Sequence, residues 1–250
     1  MRVDVIGTGS SGNAYAVHAG GEILLLDAGL PVKAILRGIP EFAQTGIAGC
    51  LVTHEHGDHA KSALALAALG VPVYASKGTI DAIIEKGSLT RLNAVQARST
   101  FTVGGFVILP FEAQHDAFEP LGFLVKYQPT GETLLYATDT YYLRYTFPGV
   151  NYWLVECNYI DEIMASQLES GRLTDKLRNR LDGSHMSLRR LLATLEANDL
   201  SDTRAIVLVH LSDERSDEAA MVRAVKEVTG IEEVVAAANG MSINLELTPF

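Results

Sequence analysis

Alternation of apolar and polar residues predicts a first strand at Val3–Ile6 and a second at Ala14–His18. A Gly20-Gly21 turn then leads into a third at Glu22–Leu26. Gly46–Thr53 is a short, largely apolar run, read as a buried strand, and Asp58–Leu69 reads as a helix ended by Gly70. Further strands are predicted at Val71–Ala75, Phe101–Val103, Phe106–Phe111, Leu121–Tyr127, Thr133–Ala137 and Tyr152–Glu156. Between Ile160 and Asp182 the chain becomes charge-rich and helical. A helix at Ser187–Asn198, a strand at Ala205–Val209, a helix over Asp213–Thr229 and two short closing strands complete the pattern. No linker or repeat divides it, so the expectation is one domain over residues 1–250, of α/β class, with two sheets face to face and helices outside each.

Composition narrows the setting. The 250 residues are 48% apolar, enough for a sizeable core and too much for a disordered chain. The longest apolar stretches, Ala63–Leu69 and Ile231–Ala238, are far shorter than the roughly 20 residues that span a bilayer, so no membrane partner is expected. Met1-Arg2 runs straight into the first strand without a signal-peptide pattern, which predicts a cytoplasmic protein. Cys50 and Cys157 lie in apolar runs and are expected to be buried thiols. Twenty basic residues against 30 acidic ones give a net charge of −10, which argues against a surface built for a long polyanion. A small anion is still compatible, because a bound dication outweighs local protein charge.

The most informative stretch is Thr53-His54-Glu55-His56-Gly57-Asp58-His59, at the junction of an apolar strand and a helix. In an extended segment residues two apart share a face, so His54 and His56 can hold one metal ion. Beyond the turn at Gly57, Asp58 and His59 open the helix from another direction and can feed a second ion. Asp58 is also placed to cap that helix, the purely structural reading of this residue.

This motif resembles the signature of the metallo-β-lactamase superfamily. The resemblance implies a four-layer αβ/βα sandwich and three later ligands in the order His, Asp, His. His115, Asp139 and His210 supply them, each at the end of an apolar strand. By resemblance, His54, His56 and His115 hold the first metal, Asp58, His59 and His210 the second, and Asp139 bridges them. His-rich ligation favours Zn²⁺ for the two divalent ions, with Mn²⁺ as the alternative. Asp58 or Asp139 would accept a proton from the attacking water. His185, before the Ser187 helix, would contact a phosphate or protonate the leaving oxygen. Asp27, in Leu-Leu-Asp-Ala-Gly, resembles the superfamily's strand-end aspartate that supports the ligand loop.

Gly7-Thr8-Gly9-Ser10-Ser11-Gly12 matches a dinucleotide-binding pattern, but Asn13–His18 alternates as a strand where that pattern needs a helix. The loop, through Ser10, Ser11 and Asn13, either approaches a phosphate or makes a tight hairpin.

Gln-His-Asp around His115, Thr-Asp-Thr around Asp139, Ser-His-Met-Ser around His185 and His-Leu-Ser around His210 look like the phosphodiesterase branch. Within it the chain is similar over nearly its whole length to YycJ/WalJ-type proteins, described as exonucleases. It is also similar to phage anti-Pycsar enzymes, homodimers that hydrolyse cyclic mononucleotides. An exonuclease calls for a basic groove and stacking platforms. The only basic concentration, Arg172, Lys176, Arg178, Arg180, Arg189 and Arg190, is interrupted by Asp175 and Asp182 and reads as a solvated helix face. Tyr141, Tyr142, Tyr145 and Tyr159 offer a base-stacking surface or pack between sheet and helix. The reading adopted is a homodimeric phosphodiesterase of 3′,5′-cyclic mononucleotides, with Ser10, Ser11, Asn13, Ser187 and Tyr141 as candidate substrate contacts. The alternative is a YycJ/WalJ-type 5′–3′ exonuclease on single strands.

Overall fold

The computed structural model describes residues 1–41, 45–84 and 91–245, which cluster into two compact units. The first holds residues 1–112, 117–133 and 238 onward; the second holds 113–116 and 134–237. Among the described residues no helix is long and apolar enough to cross a membrane.

The first unit is built on a seven-stranded mixed sheet, of β1 (Arg2–Gly7), β2 (Ala14–Ala19), β3 (Glu22–Leu26), β4 (Gly49–Leu51), β5 (Val73–Ser76), β6 (Leu92–Val95) and β14 (Ser242–Asn244). Their order is β14-β1-β2-β3-β4-β5-β6. Pairing is antiparallel from β14 to β3 and parallel from β3 to β6. Strict alternation of buried and half-buried residues along β1 fits a strand with one face on the core. β4, buried throughout, fits a parallel strand covered on both sides. One face of the sheet packs Ala14, Ala16, Ile23, Leu25, Cys50 and Val73 against Ile35, Leu66 and Ile80. Those three come from helices α1 (Val32–Arg37), α3 (Ala63–Ala68) and α4 (Lys77–Ile83). An antiparallel meander, β7 (Phe101–Val103), β8 (Phe106–Glu112) and β9 (Leu121–Tyr127), belongs to the same unit.

The expected helix over Asp58–Leu69 is two pieces, α2 (Gly57–Ala60) and α3. Ser62 interrupts it by turning its N–H to the Ala28 carbonyl and its hydroxyl to the Leu30 carbonyl. Asp58 does not cap: His56 occupies the N-cap position of α2 and makes no side-chain cap bond. The strand expected from Val71 starts at Val73, because the Val71 N–H closes the preceding helix on Leu66 and Pro72 has no N–H to offer. The Gly-rich loop after β1 enters strand β2, which confirms that it opens no dinucleotide-binding helix.

The second unit carries four parallel strands: β10 (Thr133–Ala137, in this unit from Leu134), β11 (Tyr152–Glu156), β12 (Ala205–Val209) and β13 (Glu233–Ala236). Helices α5 (Asp161–Glu169), α6 (Asp175–Asp182), α7 (Leu188–Glu196) and α8 (Glu218–Thr229) accompany them. The helical region predicted from Ile160 is broken between α5 and α6, where Gly171 takes a positive φ. The last helix starts at Glu218 and not at Asp213, because the Asp217 side chain caps it by accepting from the Ala220 N–H. Cys50 and Cys157 are buried free thiols, as expected, and burial pushes both well above the usual thiol range.

Candidate metal centre

Both units place polar residues where parallel strands end, the edge at which open α/β sheets bind ligands. In the first unit β3 delivers Asp27 and β4 delivers Thr53 and His54, side by side; the Asp27 N–H donates to the Leu51 carbonyl at 2.8 Å. Asp27 is fully buried. Its Oδ1 accepts from the Thr53 N–H at 2.8 Å and from the Thr53 hydroxyl at 3.0 Å, and its Oδ2 accepts from His59 Nδ1 at 2.7 Å. A carboxylate only accepts, so His59 carries its proton on Nδ1 and presents the Nε2 lone pair, which faces Asn13 Nδ2 at 3.1 Å.

Backbone bonds bring this segment against the ligand loop. Asn13 N–H donates to the Asp58 carbonyl at 2.7 Å and Ala28 N–H to the His59 carbonyl at 2.7 Å. Only glycine fits at position 29, because a Cβ there would run into the Asp58 carbonyl. The loop gathers three imidazoles: the His54 ring centroid lies 4.7 Å from that of His56 and 4.3 Å from that of His59. Asp58 Oδ2 lies 3.5 Å from His59 Nε2. The expectation that Asp27 supports the ligand loop is met by these contacts.

In the second unit, β10, β11 and β12 lie next to one another and end at Asp139, Glu156 and His210. Asp139 Oδ1 is 2.6 Å from His210 Nδ1, and its Oδ2 is 3.4 Å from His115 Nε2. His115 fixes its other ring nitrogen by donating from Nδ1 to the Ser184 carbonyl at 2.8 Å. The His185 ring centroid lies 5.4 Å from those of both His115 and His210. Donor atoms of Asp139, Glu156, His185 and His210 all fall within 4.8 Å of one another.

Glu156 is the residue to which sequence reasoning gave no role at the site; it ends a predicted apolar strand. It is completely buried, and three groups converge on it. His185 Nδ1 reaches Oε1 at 2.7 Å, while the backbone N–H groups of Thr140 and Met186 donate to Oε2 at 2.9 and 3.2 Å. An acidic residue closing an apolar strand between two ligand-bearing strands was the available signal. Burial works against charge on His210, but Asp139 and Glu156 outweigh it and push its pKa up to about 10. Burial opposes charge on His185 as well, and Glu156 holds its pKa above the usual histidine range.

The donor chemistry in each unit fits divalent metal ions: imidazoles with Nδ1 held by an acceptor or hydroxyl, and carboxylates beside them. Three residues, Asp27, Asp139 and His210, adopt φ of 59°, 47° and 54°, a left-handed conformation that non-glycine residues seldom take and that gathers at functional sites.

The expected substrate contacts differ in exposure. Ser10 and Ser11 are exposed, but Asn13 is buried and ties the hairpin together, its Oδ1 accepting from the Gly9 N–H and its amide donating to the Gly9 carbonyl. Ser187 is also buried, and it caps α7 by accepting from the Arg190 N–H. Tyr159 is buried with its hydroxyl on Asp182, which makes it a packing residue and not a stacking surface. Tyr141 is half-buried under the Arg190 guanidinium, 5.6 Å from its ring centroid. Beyond it a cavity of about 360 Å³ is lined by Tyr142, Arg144, Tyr145, Arg190, Thr194 and Asn198, among others. The basic stretch is a solvated face: no residue of α6 is buried, and Arg189 and Arg190 pair with Asp161 and Asp182.

The chain is similar to the exodeoxyribonuclease WalJ of Streptococcus pneumoniae, with 25% identity over 99% of this chain and 93% of that protein. It is 29% identical to the exodeoxyribonuclease YycJ of Bacillus anthracis, over 85% of this chain and 83% of the relative. Among solved structures it superposes on the metallo-β-lactamase fold protein YhfI of Bacillus subtilis with a TM-score of 0.72 and 19% identity, over 96% of this chain and 98% of that one. The fold class is therefore the expected α/β sandwich of two mixed sheets with flanking helices. The model of the β-lactamase superfamily domain matches residues 24–211, and the chain belongs to that superfamily.

Proposed function

We propose that the protein is a divalent-metal phosphodiesterase that hydrolyses 3′,5′-cyclic mononucleotides. The observation that carries the metal-dependent reading is the pair of donor sets at parallel strand ends, each with its imidazoles oriented by buried acceptors. In the first unit His54, His56, Asp58 and His59 would bind metal, and in the second His115, Asp139 and His210 would do so. Zn²⁺ suits these imidazoles, with Mn²⁺ as the alternative. When bound, such ions lower the pKa of water toward about 7 and offset charge on the phosphate oxygens. Asp58 or Asp139 takes the proton of the attacking water. His185, with Nδ1 held by Glu156, has Nε2 to donate to the leaving ribose oxygen or to a phosphate oxygen.

Two features favour a small substrate over a long strand. The net charge is −10, and the basic stretch on α6 is interleaved with acids. The second reading is a 5′–3′ exonuclease on single-stranded DNA, and the names of relatives that align with most of the chain support it.

One experiment separates the two. Metal-loaded protein is given 3′,5′-cyclic mononucleotides and, in parallel, end-labelled single-stranded DNA. Hydrolysis of the cyclic nucleotides, abolished by chelation and restored by Zn²⁺ or Mn²⁺, is the expected result. Degradation of the DNA with the cyclic nucleotides untouched transfers the protein to the second reading.

A further inference from the structure

Large apolar side chains are mostly buried in this protein, and among the described residues Phe118 is the most exposed of them, at 80%. A single exposed apolar residue on an ordinary surface loop calls for no explanation. Phe118 sits on a segment pinned at three points. Its own N–H donates to Glu55 Oε1 at 3.0 Å, and Glu55 lies between His54 and His56. Glu119 Oε2 accepts from the Gly78 N–H at 2.8 Å. The Leu121 N–H donates to the carbonyl of Thr53, the residue before His54, at 2.9 Å. Two of the three anchors are thus on the loop that carries the histidine cluster. Ordering a backbone costs conformational entropy, and here the ordered segment displays its ring to solvent and gains no burial from it.

We propose that Phe118 is a nucleobase platform, on which the base of the substrate stacks beside the His54–His56 loop. This rests on the phosphodiesterase reading above and narrows it to base-bearing substrates. A phenyl ring presents a flat face through only two rotatable bonds, and stacking on it tolerates every base because each has a π face. Discrimination between bases is accordingly expected to be weak at this position.

The test compares 5′-AMP with ribose 5-phosphate, the same phosphate and sugar without a base, by calorimetric titration of the metal-loaded full chain. Wild type, Phe118→Ala and Phe118→Trp are measured, with circular dichroism confirming that each is folded. Wild type is expected to bind AMP about 5- to 150-fold more tightly than ribose 5-phosphate, the range set by base–aromatic stacking. In Phe118→Ala the ratio collapses toward one, and in Phe118→Trp it is kept or increased. The KM for the hydrolysed nucleotide rises in Phe118→Ala by a similar factor while kcat changes little. An unchanged ratio in Phe118→Ala overturns the platform while leaving phosphodiester hydrolysis standing. Wild-type protein that cleaves neither nucleotide substrate overturns the phosphodiesterase reading itself, and the platform with it.

Discussion

Replacing Asp27 by Asn separates the charge of this carboxylate from its shape. Asn tolerates the left-handed backbone that Asp27 adopts at φ 59°, so the turn between β3 and the following loop is retained. The wild-type carboxylate accepts on both sides, from the Thr53 N–H at 2.8 Å and from His59 Nδ1 at 2.7 Å. An amide accepts on one side only. With its oxygen toward Thr53, its NH₂ faces His59 Nδ1 and drives the ring proton to Nε2, the atom meant for the metal. With its oxygen toward His59, a buried backbone N–H faces another donor. Either arrangement gives up a charge-assisted hydrogen bond in a fully buried place, a loss of about 1.5–3 kcal/mol. Urea unfolding of the chelated protein should therefore show a drop of about 2 kcal/mol with unchanged m. Competition against a chromophoric chelator should show metal affinity about 10- to 100-fold weaker. A variant with wild-type stability and wild-type metal affinity would refute the claim that Asp27 sets the tautomer of His59.

Glu156→Gln should lower kcat about 10- to 100-fold with little change in KM, and shift the alkaline limb of the pH profile downward, because His185 loses the carboxylate that keeps its proton. Ser187→Ala should cost about 1 kcal/mol in urea unfolding, the worth of a helix cap, while kcat/KM stays near wild type; a selective loss of activity would mark Ser187 as a substrate contact as well. The metal-free protein should weaken as pH rises from about 6.5 toward 10. His210 has a folded pKa raised to about 10, so its contribution is complete below the unfolded value near 6.5 and lost as pH climbs through the folded one. Urea midpoints at pH 7 to 10 check this, and a flat or rising profile contradicts the sign.

The periodicity of the chain carried most strands to within a residue or two because their burial alternates or runs continuous, as in β1 and β11. The elements β6, α1 and α4 were missed outright, and boundaries set by contacts from afar were misplaced. Asp58–Leu69 has unbroken helical composition, and only Ala28 and Leu30, distant in sequence, divide it at Ser62. Asp27 was legible as a support for the ligand loop because it ends a strand beside that loop. Glu156 was not, since its importance arises from three donors spread over 46 residues of sequence, Thr140, His185 and Met186. The cap made by Ser187 was legible from the local rule for the residue before a helix, although the sequence reading had weighed it only for its place beside His185.

Asp27, Asp139 and His210 hold their side chains in place with backbone angles that glycine would adopt without strain. At each of them the most comfortable residue for the main chain is one with nothing to offer a cation or an imidazole. Selection for a hardier scaffold alone would drift toward glycine at these three turns and yield a sturdy, inert protein, so thermostability screens of this chain should be read alongside an activity assay.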